Sequence, residues 1–175
     1  MGMQRDWQNG FAGGEMDTEL RFVVDMNVGR LAKWLRVMGY DTLFPKENGD
    51  NQLVRIALME NRVLVTRDAE IARRPDARTG QMEETLIEKD DLRSQLRQLV
   101  RDLELDLPSG FSRCVRCNEP LRPIVKQDFV DRLPTYVVLT QPKFFECQEC
   151  RRVYWPGTDW TNMMSELSQV YREAS

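Results

Sequence analysis

The sequence predicts an α/β domain with a largely parallel sheet, followed by a small ribbon built around a metal ion. Short apolar runs alternate with amphipathic stretches over residues 20–108, which is the pattern of βαβ units. Two Cys-x-x-Cys pairs then stand within residues 109–175. A chain of 175 residues, 41% of them hydrophobic, can hold one α/β core plus a module too small to be stable alone.

The first half of the α/β domain is predicted to be a strand, a helix and a second strand. Arg21–Asp25 is an apolar run that ends in a carboxylate, and Tyr40–Phe44 is the second strand. Between them Gly39 is a natural helix stop. The apolar residues of the intervening segment fall on one helical face: Val28, Leu31, Ala32, Leu35 and Met38.

The second half repeats this pattern. A polar loop, Pro45–Gly49, leads into a helix that opens at Asp50 and whose predicted buried stripe is Leu53, Val54, Ala57 and Leu58. Three further elements follow in order: a strand at Arg62–Thr66, a short helix at Ala69–Arg74 and a strand at Thr85–Ile87. The apolar period of the last helix is carried by Leu92, Leu96, Leu99, Val100 and Leu103.

The domain boundary is predicted at Leu107–Gly110, because this segment breaks the helix just before the first cysteine pair. Within the ribbon, Thr135–Leu139 is rich in β-branched residues and is interpreted as β structure, and Trp160–Tyr171 is predicted to be a closing helix. Residues 1–19 have no apolar period and are expected to form a disordered leader.

The cysteine pairs are the most specific motif in the chain. Cys114 and Cys117 form one pair, Cys147 and Cys150 form the other, and 29 residues separate the pairs. Each pair can place two thiolates about 2.3 Å from one tetrahedral ion, and four sulfur ligands leave no position for substrate. The prediction is structural zinc. The alternatives are iron in the same site, a redox pair or two local disulfides.

Three aspartates are candidate ligands of a catalytic metal. Asp25 ends the first strand, Asp68 ends the third, and Asp50 opens the helix between the second and third strands. The carboxyl ends of parallel strands form the ligand crevice of an open α/β sheet, and carboxylates suit Mg²⁺ or Mn²⁺. Each aspartate also has a purely structural interpretation, since Asp50 and Asp68 are well placed as helix N-caps and Asp25 as a turn residue.

Basic residues near these carboxylates are candidates for binding substrate phosphates. Arg30, Lys33 and Arg36 are spaced by three along the first helix, and Arg67 precedes Asp68. The alternative for each is an ordinary solvated surface position. Beyond the second cysteine pair, Arg151 and Arg152 could present cations to RNA, and Tyr154 and Trp155 could stack on its bases or simply pack the ribbon.

The composition of the chain excludes several kinds of catalytic and metal site. The chain has no histidine, which excludes Ser-His-Asp and Cys-His catalysis and all histidine metal ligands. The net charge of −3 argues against nonspecific coating of nucleic acid, although basic residues are in excess over 21–80 and 111–156. The sequence has no apolar run long enough to span a bilayer and no signal-peptide pattern, so we expect a cytoplasmic protein without a membrane anchor.

Taken together, the motifs resemble a known family, the PIN-like ribonuclease domain with an appended zinc ribbon, named for the C-terminal domain of the mutator-seven exonuclease. The similarity rests on VDMNVGRLAKWLRVMGYDT, LVTRD, SRCVRCNEPLRP and FFECQECRRVYWPGTDW, in that order. It covers Arg21 to about Met164. Family members often have Met-Leu before the Gly-Arg pair, where this chain has Asn27-Val28, so we expect a differently shaped turn beside Asp25.

The resemblance implies a three-layer α/β/α PIN-like fold and hydrolysis of RNA phosphodiesters by carboxylate-bound Mg²⁺ or Mn²⁺. The family's acidic site residues match Asp25, Asp50 and Asp68, and Glu70 is the nearest candidate for a fourth acid. The expected substrate is single-stranded RNA, with zinc structural and the ribbon aiding RNA or ribonucleoprotein binding.

Two rival hypotheses come from other classes. In one, the chain is a non-catalytic RNA-binding or ribosome-associated protein, and its carboxylates are only caps. In the other, it is an electron carrier whose four cysteines hold iron, a function that would leave the large α/β domain without a purpose.

Overall fold

The computed structural model of the chain describes residues 20–45, 49–108 and 110–174. The predicted leader, 1–19, lies outside these ranges, as does Ser109 at the predicted domain boundary. Within them, no helix is long and apolar enough to cross a membrane.

A four-stranded, fully parallel sheet forms the centre of the α/β domain. Its strand order is β2-β1-β3-β4, and the register pairs Phe22 with both Thr42 and Val63. The central strands β1 and β3 are buried and apolar, as expected for strands covered on both faces. The strands are β1 (Arg21–Val24), β2 (Asp41–Leu43), β3 (Val63–Thr66) and β4 (Glu84–Leu86).

Helices cover both faces of this sheet, which confirms the three-layer α/β/α prediction. Residues of α1 and α5 share one apolar core with Phe22, Val24 and Val65, whereas α2 and α3 share the other with Val23 and Leu64. Successive side chains of β1 therefore point alternately into two separate cores. The helices are α1 (Arg30–Val37), α2 (Asp50–Glu60), α3 (Ala69–Ala72), α4 (Pro75–Arg78) and α5 (Leu92–Asp102).

The strand order creates a topological switch point between β1 and β3. The chain leaves β1 for β2 on one side of the sheet and leaves β3 for β4 on the other. In open α/β sheets such a point opens a crevice at the carboxyl ends of the two strands. The residues that follow β1 and β3, Asp25 and Asp68, lie at that end.

The first helix, α1, buries the apolar face that the sequence pattern predicted. Every member of its predicted apolar face is buried, and Gly39 ends it with φ = 97°, a left-handed conformation that favours glycine. A short 3-10 turn, Met26–Val28, connects β1 to α1. At the junction, a Cβ on Gly29 would lie 2.3 Å from the Phe44 ring, so a larger residue there would require the ring to move.

The ribbon is a three-stranded antiparallel sheet with a helix inserted between its first two strands. Its strands are β5 (Leu121–Ile124), β6 (Phe144–Cys147) and β7 (Val153–Tyr154), and the inserted helix is α6 (Thr135–Thr140). The helix closes a small core in which the rings of Phe129 and Phe144 lie 4.5 Å apart.

The prediction of β structure for Thr135–Leu139 was therefore wrong. The segment is helical because this turn of helix places Val137 and Val138 against the small core while Tyr136 and Leu139 face solvent. Tertiary packing overrides the β preference of Val and Thr. Two smaller differences are that Leu58 is 37% exposed and that a further short helix, α4, lies between the predicted helix at Ala69–Arg74 and the predicted strand at Thr85–Ile87.

The closing helix, α7 (Thr158–Ala174), belongs structurally to the α/β domain. Its fully buried Leu167 and Val170 lie in the same core as Leu96 and Leu99, and its main packing partner is α5. The predicted 109–175 unit is thus divided: the ribbon ends near Gly157, and the chain then returns to the first domain.

Candidate active site and metal centre

The four predicted cysteines converge in space. The sulfur atoms of Cys114, Cys117, Cys147 and Cys150 all lie within 4.8 Å of one another, and Cys114 Sγ is 3.7 Å from Cys150 Sγ. A tetrahedral ion with ligands at 2.3 Å would separate its sulfurs by roughly 3.8 Å. The donor set and its spacing therefore fit one zinc ion with a closed coordination sphere.

The surroundings of Cys114 favour the thiolate form that a metal ligand requires. Burial acts to raise the pKa of this thiol, but hydrogen bonds from the Tyr154 hydroxyl, 3.1 Å away, and from the Cys117 and Arg116 amides outweigh it, so the pKa falls to about 7. Tyr154 thus packs the ribbon and bonds to a cysteine. Trp155 likewise packs against the small ribbon core.

Both cysteine pairs are followed by a residue in the left-handed backbone conformation. Asn118 has φ = 70° and Arg151 has φ = 59°. These residues turn the chain back across the metal centre, so that the amides of Asn118 and Arg151 donate to the carbonyls of Cys114 and Cys147. Asparagine tolerates this conformation well, whereas arginine does so less readily.

At the carboxyl edge of the main sheet, a threonine joins two of the three candidate aspartates. The Thr66 hydroxyl donates to Asp25 Oδ2 at 2.6 Å and accepts from the Asp68 amide at 3.0 Å. Thr66 is fully buried at the end of β3. The loops after β1 and β3 are also connected by Asn27, whose side-chain oxygen accepts from the Arg67 amide. Asn27 thus connects the turn after β1 to the loop after β3.

Asp68 also has the structural role that its position suggested. Its Oδ1 accepts from the Glu70 amide at 2.8 Å and so caps α3. A carboxylate has two oxygens with about four lone-pair positions, so capping leaves capacity for a metal ion. Glu70, the candidate fourth acid, is exposed on the first turn of α3.

Asp50 lies at the same edge of the sheet but in a different setting. It is exposed in the first turn of α2 and makes no cap bond there, since Gly49 occupies the N-cap position. Together with Asn51 and Arg74 it lines an open cavity of about 350 Å³. Arg74 donates to the Asn51 side chain at 2.8 Å, which ties α2 to the end of α3.

The three aspartates do not form a preformed ligand cluster. Within the described ranges, the cysteines are the only group of three or more such side chains with all ligand atoms within 4.8 Å. Mg²⁺ usually keeps several waters and binds only one or two protein carboxylates together with substrate phosphate, so a site for it does not require such a cluster. The three carboxylates come from three different elements at this edge of the sheet.

Three of the four predicted phosphate ligands, Arg30, Lys33 and Arg67, are exposed at the surface. Arg30 and Lys33 are exposed on α1. Arg67 pairs with Asp90, which follows β4 and is 90% exposed. Exposed pairs of this kind contribute little to stability, so Arg67 can exchange Asp90 for a substrate phosphate at small cost.

Arg36 differs from the other three because the fold occupies its guanidinium. It donates to the carbonyl of Thr42 at 2.9 and 3.0 Å and to those of Val115 and Arg116 at 3.1 and 3.0 Å. Burial lowers the pKa of Arg36, and the charges of Cys114 and Cys117 oppose this effect. With these bonds the Arg36 side chain connects α1 to the first cysteine pair, and its role in binding substrate stays a prediction.

Other contacts extend this connection. Asn118 accepts from the Thr42 amide at 2.8 Å and donates to Asp41 at 2.7 Å, and Arg113 donates to the Gly39 carbonyl. Strand β2 is the edge of the main sheet, and edge amides are otherwise free to pair with other chains. The first cysteine pair thus covers part of that edge.

Sequence reasoning missed Thr66, Asn27, Asp90 and Asn118. Thr66 ends the predicted strand Arg62–Thr66 and Asn118 follows the first cysteine pair, but no contact was predicted for either residue. The positions of Thr66 and Asn118 could have indicated their contacts. Thr66 is polar at the end of a buried strand, Asn118 directly follows a cysteine pair, and buried polar groups normally have a hydrogen-bond partner.

Fold and site together define a class: a three-layer α/β domain with carboxylates at its switch point, joined to a four-cysteine centre. The chain belongs to the Mut7-C RNAse domain family, whose model matches residues 20–167. Neither the curated proteins nor the solved structures include a match to the chain. Membership implies a nuclease-type function with RNA as substrate.

Proposed function

We propose that the protein is a metal-dependent ribonuclease that hydrolyses phosphodiester bonds of single-stranded RNA at the carboxyl edge of its sheet. The observation that carries the proposal is the bridge from Asp25 through the Thr66 hydroxyl to the Asp68 loop, at the switch point of a fold whose family is a ribonuclease domain. Asp25 and Asp68 are the proposed metal ligands, and Asp50 orients the attacking water.

The chemistry follows from the residues available. With no histidine in the chain, Mg²⁺ or Mn²⁺ held at this edge would activate water and offset charge on the phosphate. Arg30 and Lys33, which are exposed on α1, and Arg67, whose ion pair with Asp90 is exposed, would position the substrate by contacting its phosphates. The cysteine centre, as a closed site, contributes structural zinc.

The test is cleavage of a labelled single-stranded RNA with Mg²⁺ or Mn²⁺. Asp25→Asn and Asp68→Asn are each expected to lower the rate by at least about 10²-fold, the scale of lost transition-state stabilisation at such sites. Asp102→Asn, an exposed aspartate at the far end of α5, is the matched control and should cleave like the wild type.

The rival reading is a non-catalytic RNA-binding or ribonucleoprotein-associated protein. The cap bond from the Glu70 amide to Asp68 favours it, since capping alone would explain an aspartate at this position. Tight RNA binding without metal-dependent cleavage, or cleavage unaffected by both substitutions, would establish this rival instead. A parallel assay with single-stranded DNA distinguishes the two nucleic acids.

A further inference from the structure

We propose that the first cysteine pair continues the substrate surface, so that a single RNA strand runs from Asp25 along α1 to Arg116. The inference rests on the proposed function and deepens it, because it assigns a second, remote phosphate contact to the same substrate. It concerns Arg116, the residue between Val115 and Cys117, for which the sequence suggested no role.

The direction of the path follows from α1. This helix begins five residues after Asp25, and its exposed Arg30 and Lys33 are neighbours at i, i+3 on its surface. From Arg30 to Arg36 the helix axis rises by about 9 Å. One end of α1 therefore lies beside the carboxylates and the other is a further helical turn and a half away.

The cysteine pair is held at that far end. Arg36, in the last turn of α1, donates to the Val115 and Arg116 carbonyls. The backbone of Arg116 is thereby fixed beside the helix, while its side chain is exposed. Arg30, Lys33 and Arg116 thus come in order along one path that starts at the active-site edge.

The charges along this path are available to a ligand. Among the described residues, none of Arg30, Lys33 and Arg116 has an ion-pair partner, whereas Arg62 and Arg132 are bound to carboxylates. Separate cations with no base-reading pocket suit the regularly spaced phosphates of a single strand. Because the path begins at carboxylates proposed to act on a phosphodiester, its ligand is the RNA strand itself.

Length dependence tests the proposal. Binding of fluorescent oligoribonucleotides of about three and about twelve nucleotides is measured by anisotropy without added Mg²⁺ or Mn²⁺. We expect Arg116→Ala to weaken binding of the long RNA by about threefold to tenfold and to lower its salt slope by about one, with the short RNA unaffected. Lys33→Ala, outside the ribbon, should also weaken the long RNA.

Arg78→Ala is the matched control, since it removes an exposed arginine from α4 in the opposite helix layer. Zinc content and thermal unfolding are measured for every variant. Long-RNA affinity unchanged in Arg116→Ala or in Lys33→Ala, or an Arg116→Ala loss equal for both lengths, would overturn the path. Absence of cleavage by the wild type would count against the proposed function alone, because these binding measurements do not depend on turnover.

Discussion

The Thr66 hydroxyl serves two carboxylate-bearing loops at once, so its removal is a sensitive test of the proposed site. Thr66→Val keeps the β-branched shape but deletes the donor to Asp25 and the acceptor for the Asp68 amide. We expect the cleavage rate to fall at least about tenfold and the free energy of unfolding to fall by about 1–3 kcal/mol, since a buried amide loses its partner. Single-turnover cleavage and urea unfolding measure the two effects.

Thr66→Ser is the matched control for this change. It restores the hydroxyl and deletes only a methyl group, so most of the activity should return while a small packing loss remains. Equal activity in the valine and serine variants would show that the hydroxyl does not position the carboxylates.

Asp41, on the edge strand β2, is expected to make the free energy of unfolding depend on pH. Burial acts to raise the pKa of Asp41, but hydrogen bonds from Arg62 and Asn118 outweigh it and hold the pKa below its ordinary value of 3.8. Because the folded chain binds this proton less readily than the unfolded chain, the stabilisation is present near neutrality and is lost as pH falls below about 4. Asp41→Asn should therefore lose stability at pH 7 and match the wild type progressively better in acid.

Urea unfolding of both proteins at several pH values checks this expectation. Asp102→Asn, which removes an exposed carboxylate paired only with its neighbour Arg101, is the control for general charge effects. A stability difference between wild type and Asp41→Asn that stayed constant from neutrality into acid would contradict the assignment.

At the scale of elements, the contact between the first cysteine pair and β2 depends on Asn118. Asn118→Gly preserves the left-handed backbone but removes the bonds to the Thr42 amide and to Asp41. We expect it to lower the free energy of unfolding by about 1–3 kcal/mol. Asn118→Asp should also destabilise, because it sets a second negative charge beside Asp41.

Chemical denaturation and size-exclusion chromatography measure the Asn118 variants. The second method reports whether the uncovered β2 edge begins to pair with other chains. Asn61→Gly is the matched control, because Asn61 is an exposed asparagine that also has a left-handed backbone conformation, φ = 49°, at the end of α2. Unchanged stability in both Asn118 variants would mean that Arg36 and Arg113 alone hold the contact.

Elements with a clear period were predictable, and those decided by distant packing were not. Local spacing of apolar residues predicted the buried face of α1 and the strands β1 and β3. It also predicted that Asp25 and Asp68 lie at the switch point, because both come directly after these strands. The helix at Thr135–Thr140 was not predicted, because its reason is a small core supplied by residues on both sides of it. The contact of Arg36 with the ribbon was missed for the same reason: its partners there, Val115 and Arg116, lie 79 and 80 positions away.

At the scale of the whole molecule, α7 couples the last part of the chain to the first domain. Leu167 is fully buried against the α/β core. Leu167→Ala should lower the free energy of unfolding by about 2–5 kcal/mol, the usual cost of deleting a buried leucine side chain. Thermal unfolding followed by circular dichroism is the measurement, and Leu139→Ala, at a residue 75% exposed, is the control.

Removal of the metal should affect more than the ribbon. A small module depends on its ion for folding, and the Arg36 and Asn118 contacts transmit its loss to β2 and α1. We expect one zinc per chain, and a lower unfolding temperature after treatment with a strong chelator. Adding zinc back should restore it. An unfolding temperature insensitive to chelation of zinc-loaded protein would show that the ion is not structural.

The packing of α7 on α5 determines when, during synthesis, the α/β domain can complete its core. The strands and carboxylates are made first, but the core around Leu96 and Leu99 remains open to water until the α7 segment has left the ribosome. At about 5–20 residues per second, the intervening ribbon delays that moment by several seconds. A nascent chain thus carries every proposed catalytic carboxylate before it has a completed core, and the α/β domain finishes folding only when α7 can pack on α5.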